Sequence, residues 1–220
     1  ILNTENHPTD STAFVEITSD ITLHIDSDVF TYNENYIRGI LFHEFTHVYD
    51  YVRLKDKENF KDILGTWSEY HASQIELLAN LGYANIESET KFNLFDDTYY
   101  QNEKISVLQY LSRNLLNIVN LIYMDKNDFL NFPREKQANI IGTISKHILY
   151  YFGKYNICET HANKIPNDHM ADFGEFWLDA FMIYTWCKSY SYDALIKQLR
   201  SLNMHFLKYF GIIPEDYQIE

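Results

Sequence analysis

Only 7 glycines and 4 prolines punctuate 220 residues, and this scarcity constrains the fold most, because a chain with so few backbone breakers runs in long helices. Helical periodicity covers roughly 35–54, 67–81, 103–124, 133–155, 171–189 and 192–210. Gly82 ends the second of these, Pro133 fits a first helical position, Asp168 or Asp172 can cap the fifth helix and Ser191 the sixth. β-Branched residues concentrate instead in 12–18 and 21–25, on either side of the turn-like Ser19-Asp20, and read as a hairpin or two neighbouring strands. The connections 55–65 and 85–100 are polar, the latter a surface loop able to cover a cleft, and 158–169 reads as a loop from its Asn, Pro and Asp content. Trp177, Phe181, Tyr184 and Trp186 read as bundle core. The expected fold class is α+β and predominantly helical: one unit over 1–220, with a small N-terminal β-sheet packed on the first helix and a helical C-terminal lobe over 83–220.

Composition narrows the function classes. Hydrophobic residues at 46% and charged residues at 22% exclude disorder as a description of the chain. With 18 Lys and Arg against 31 Asp and Glu, the net charge of −13 repels phosphate backbones, so nucleic acid is not an expected partner. The greasiest windows are broken by Asn117 and Asn120 in one and Asp179 in the other, and no membrane span is expected. The chain opens at Ile1 without a basic-then-apolar leader, as a trimmed chain or the mature form of an exported protein would, and the compartment stays open. Cys158 and Cys187 are too few for a disulfide scaffold, yet enough for one bridge.

The chemistry-bearing signal is His43-Glu44-Phe45-Thr46-His47, an HExxH sequence inside the first helical pattern. On a wheel of about 100° per residue, His47 falls roughly 40° from His43, while Ile37, Leu41, Phe45, Val48, Tyr49 and Val52 gather on the opposite side as the expected core-facing stripe. Tyr36, Ile40 and Tyr51 share the histidine side, which suits a cleft wall. Two imidazoles at i and i+4 can meet one zinc ion, and the adjacent Glu44 can act on the attacking water as general base. The bland alternative is the solvated face of an amphipathic helix.

A catalytic zinc takes three protein ligands. Arg53 stands where the metzincin pattern has its third histidine and Asp50 where it has glycine, which excludes that subclass. On the next helix Glu69 shares a polar stripe with Ser73, Glu76 and Asn80, whereas His71 projects toward Leu78 and Ile75, so Glu69 is the preferred third ligand. The small Ala72 and Ser73 allow close approach of the two helices. Alternatives stay open: Thr66 to Glu69 also fits a capping box, Glu76 is a supporting acid or itself the ligand, and Asp50 either orients a ligand or forms a surface salt bridge.

These residues resemble the active site of a zincin metallopeptidase of the gluzincin type, in which HExxH is completed by a glutamate on the following helix; the Glu69 to Ala72 step is similar to the ExxA pattern around that ligand. The resemblance covers roughly 12–82 and implies Zn²⁺ held by His43, His47 and Glu69, with Glu44 as catalytic acid/base and a peptide or protein substrate. It also implies a substrate-binding strand, for which 21–25 is the candidate, and a Tyr or His that stabilises the oxyanion, for which His161 and His169 are candidates. The expected function is a zinc-dependent metallopeptidase. Its rivals are a non-catalytic helical binding protein on a zincin-like scaffold, and a zinc hydrolase acting on a non-peptide amide.

Overall fold

A computed structural model describes residues 2–3, 12–18, 20–83, 91–162 and 170–212, and within them the chain is a predominantly helical α+β protein. The N-terminal sheet has the order β1-β3-β2. Its strands are β1 (Leu2–Asn3), β2 (Ala13–Ile17) and β3 (Ile21–Ile25). β2 and β3 pair antiparallel, from Ala13 opposite Ile25 to Ile17 opposite Ile21, while β1 pairs parallel to the other side of β3. β3 is therefore the central strand, covered by β1 at Leu23 and His24, and β2 is the strand that borders the cleft described below.

α1 (Glu34–Leu54) starts at Asn33, whose side chain accepts from the Asn35 amide. The connection after it is not wholly irregular, since it holds the short α2 (Phe60–Leu64). α3 (Trp67–Asn80) stops at Gly82, which takes φ 88°. There the Gly82 and Tyr83 amides bond back to the Ala79 and Leu78 carbonyls, a C-terminal motif that needs the left-handed backbone glycine tolerates.

The region expected as a loop and then a helix instead forms a hairpin, β4 (Asp97–Tyr100) and β5 (Glu103–Ser106), turning at Gln101 and Asn102. The physical reason lies at its two ends. Ser106 and Gln109 make a reciprocal capping box that starts α4 (Val107–Ile122) only after the strand. Asn80 exchanges two hydrogen bonds with the Tyr99 backbone and pins β4 to the end of α3.

After α5 (Lys126–Asn131), α6 (Arg134–His161) runs longer than its pattern suggests, with Pro133 as N-cap; Cys158 to His161 are helical rather than looped. A 3₁₀ segment, Met170–Phe176, interrupted at Gly174, precedes α7 (Trp177–Lys188), so the helix expected from 171 begins later; Asp168 lies outside the described residues. α8 (Tyr192–Tyr209) begins after Ser191, whose side chain makes no cap bond. Cys158 and Cys187 are buried and free, not bridged. Among the described residues no helix is long and apolar enough to cross a membrane.

α3 packs against both α1 and α6. Its contact with α6 is close at Gly153, where an added Cβ would lie 2.3 Å from the Tyr70 carbonyl oxygen and 2.8 Å from Ser73 Cβ. The α1 contact relies on Gly39, whose Cβ would come within 3.1 Å of the Glu76 carbonyl oxygen. Close approach of α1 and α3 is thus provided by Gly39, while the small Ser73 serves the α6 side. The main core joins Leu54, Trp67 and Tyr70 to Ile148 and Phe152 of α6 and Phe206 of α8. Tyr184 belongs to that core and Trp186 packs on it, but Trp177 and Phe181 are exposed.

α1 departs most from its hydropathy. The stripe expected to face the core is largely in solvent, with Phe45 53%, Tyr49 57% and Val52 59% exposed, and the buried side carries Gly39, His43, Glu44, Thr46 and Asp50. Polar groups of α3 meet that side, Glu76 at His43 and Ser68 at Asp50, and satisfy hydrogen-bonding needs there, which makes burying it tolerable.

Candidate metal centre

HExxH lies mid-helix, so His43 and His47 stand one turn apart on the buried side of α1, their rings edge to face at 4.9 Å. Glu69, in the first turn of α3, faces both: its Oε2 is 3.4 Å from His43 Nε2 and 3.3 Å from His47 Nε2. The capping-box alternative fails here, because Thr66 Oγ1 donates to the Asp62 carbonyl instead of capping the helix, and the Glu69 carboxylate points to the histidines.

Each donor is held from behind. His43 Nδ1 lies 3.1 Å from Glu76 Oε2, and the other Glu76 oxygen accepts from the Tyr110 hydroxyl at 2.7 Å and pairs with Lys154 at 3.0 Å. Glu76 therefore supports His43 rather than joining the donor set. His47 Nδ1 lies 2.9 Å from Ser68 Oγ. The other Glu69 oxygen, Oε1, meets the Lys146 ammonium at 3.0 Å. Asp50, expected in a ligand-orienting role or a surface salt bridge, is fully buried, and His71 pairs with it rather than entering the donor set.

His43, His47 and Glu69 form a group able to hold a metal ion, and the geometry fits zinc. Two ligands on a tetrahedral zinc with arms of about 2.0–2.1 Å are separated by roughly 3.3–3.4 Å, which matches both nitrogen–oxygen distances to Glu69 Oε2. That Oε2 atom is buried and has no hydrogen-bond partner. A buried carboxylate oxygen that makes no hydrogen bond and lies between two imidazole nitrogens is what a cation would satisfy.

Electrostatics around the group follow from burial and close pairing. Burial alone would lower the pKa of His43, but the carboxylates of Glu69 and Glu76 outweigh it and hold the imidazole up to about 9. Burial would raise Glu69 and Glu76, yet their partners win and both stay well below the ordinary carboxylate value: for Glu69 the two histidines and Lys146, for Glu76 Lys154, His43 and Tyr110. Glu44 is different. Burial raises its pKa and the pull of His43, His47 and Lys146 does not cancel the rise, as befits a proton acceptor more basic than an exposed carboxylate.

All of this opens into a cleft of about 820 Å³ between β2 and α1 on one side and α4 and α6 on the other. Tyr36 and Ile40 line it as expected from the wheel, whereas Tyr51 instead packs on Phe60. His161 does not line it: it ends α6, is buried, and its carbonyl accepts from the Phe92 amide. His169 lies outside the described residues. The residues missed from the sequence are Lys146, His147, Tyr150 and Lys154, which share one face of α6 over the cleft. Tyr150 packs edge-on to His43 at 5.3 Å. Burial, and then Glu69, Glu76 and Glu44, raise its pKa well above the ordinary phenol value, so it stays a hydrogen-bond donor. Their three- and four-residue spacing was a readable signal, available to the same wheel applied to α6.

Comparison with protein-family models, curated proteins and solved structures finds no match to the chain.

Proposed function

We propose that this protein is a zinc-dependent metallopeptidase whose metal is held by His43, His47 and Glu69. The observation that carries the reading is the convergence of two imidazole nitrogens on a buried Glu69 oxygen that makes no hydrogen bond, with Glu44 beside them in an open cleft. When bound there, zinc supplies Lewis acidity, polarising a scissile carbonyl and making water a competent nucleophile near neutral pH.

The chain's own groups supply the rest. Glu44 takes the proton from the attacking water and returns it to the leaving amine, a role suited to its raised pKa. Tyr150, a protonated donor on the α6 wall, offers its hydroxyl to the negative charge that develops on the carbonyl oxygen. The substrate backbone lies along β2, the cleft-bordering strand of the sheet, where main-chain hydrogen bonds can hold it extended.

The test compares Glu44→Gln and Glu69→Ala with the unmodified protein, by zinc content and by cleavage of a broad peptide library. Glu44→Gln is expected to keep about one zinc per chain and to lose roughly 10²–10⁴-fold in turnover; Glu69→Ala is expected to lose zinc. An active Glu44→Gln protein would sink the mechanism, and an unmodified chain that takes up no zinc would sink the metal centre.

A further inference from the structure

The two histidines of the cluster are held differently. At Nδ1, His43 meets a carboxylate directly, whereas His47 reaches one through a serine. We infer that Asp50, Ser68 and His71 form a hydrogen-bond relay that positions His47 and decides which of its ring nitrogens is left free to bind a metal. The inference rests on the metallopeptidase reading only for what that nitrogen binds.

The direction of the relay follows from what each group can donate. Asp50 and Ser68 are fully buried, out of reach of bulk solvent. The Asp50 carboxylate can only accept. Ser68 Oγ donates its single proton to Asp50 Oδ2 at 2.7 Å. With that proton committed, the serine oxygen can only accept from His47 Nδ1, 2.9 Å away. His47 Nδ1 must therefore carry hydrogen, so in the neutral ring Nε2, 3.3 Å from Glu69 Oε2, is the nitrogen left with a lone pair for a cation between them. The opposite arrangement, with Ser68 donating to an Nδ1 lone pair, would deprive the buried carboxylate of the serine proton and put a hydrogen on Nε2, where the cluster needs a lone pair.

The far side of Asp50 is fixed as well. His71 Nδ1 lies 3.0 Å from both carboxylate oxygens, and its ring stacks on Trp67 at 5.0 Å. Ser68 and His71 are one turn apart on α3, and Asp50 is one turn beyond His47 on α1, so the relay ties together the two helices that supply the donor set. His71, set aside as a ligand, thus acts as a positioning residue through Asp50, and supporting partners of this kind commonly govern metal affinity.

Two measurements on the full chain test this. Nitrogen NMR of the metal-free protein, at a pH where His47 is neutral, reads its tautomer without needing metal; hydrogen on Nδ1 is expected in the unmodified protein, with loss of that preference in Ser68→Ala. Zinc affinity, measured by competition with a chromophoric chelator, should fall roughly 10–100-fold in Ser68→Ala and less in Asp50→Asn, which keeps an acceptor for the serine. Hydrogen on Nε2 in the unmodified protein, or unchanged zinc affinity in a folded Ser68→Ala protein, would each overturn the relay. If Ser68→Ala does not fold, the spectrum of the unmodified protein decides alone. If the unmodified protein takes up no zinc, the metal reading fails while the tautomer still decides the relay.

Discussion

His43 carries a carboxylate at each ring nitrogen, Glu69 at Nε2 and Glu76 at Nδ1, and this double pairing has a pH consequence. Its pKa rises from an ordinary 6.5 to about 9, so the charged form is the one folding favours. In the metal-free protein the stability from this pairing is full below pH 6.5 and is lost as pH rises through about 9. A cation on Nε2 competes with the proton. Zinc affinity is therefore expected to climb between pH 7 and 9 and level off above, with about one proton released per zinc at pH 7.5 in calorimetry run in buffers of different ionisation enthalpy. Affinity flat across that range would show that His43 is neutral before the metal arrives. Of the residues around His43, Glu69 and Glu76 were readable from the polar periodicity of α3, because helical spacing alone puts them on one face. Tyr150 and Lys146 share one face of α6 by their spacing, but nothing local says that a helix more than eighty residues downstream closes over HExxH.

α1 shows how an element's orientation escapes its own hydropathy. Its apolar stripe reads as core, yet Phe45 is 53% exposed while the polar side is buried mainly against α3. Phe45→Lys distinguishes the two orientations. A solvent position predicts a change within about 0.5 kcal/mol, whereas truncating a core phenylalanine costs about 3–5 kcal/mol; thermal and denaturant unfolding read the difference, and a large loss would put the stripe inside. The α3–α6 seam makes the opposite prediction. At Gly153 a methyl group would run into the Tyr70 carbonyl, a backbone atom that cannot rotate away. Gly153→Ala is expected to destabilise by about 1–3 kcal/mol or more, despite alanine's better helix propensity. A more stable Gly153→Ala protein would mean the helices are further apart.

Across the molecule, the main core draws on α3 as well as α6, α7 and α8, so the helices bearing the site and those of the back half share one set of apolar contacts. Cys158 and Cys187 report on that packing from the inside. Burial pushes the Cys158 thiol up to about 12 and raises Cys187 as well, leaving little thiolate and no access at pH 8. Neither is expected to react with iodoacetamide in the folded protein, and both should react after denaturation. Labelling of either under native conditions would indicate that the bundle opens around α6 or α7.

Helix content, the pairing of β2 with β3 and the one-turn spacing of His43 and His47 were legible in the chain, because they depend on local periodicity and turn residues, whereas Glu69 meets them through the packing of α3 on α1. Which side of α1 is buried, that β3 is central and β2 borders the cleft, and that Asp50 and Ser68 stand behind His47 were decided only by tertiary structure. The physical reason is common to all three. Hydropathy records the preference of each side chain for water, whereas burial here follows from polar partners on distant elements, and a buried polar group becomes tolerable only where the fold delivers its partner.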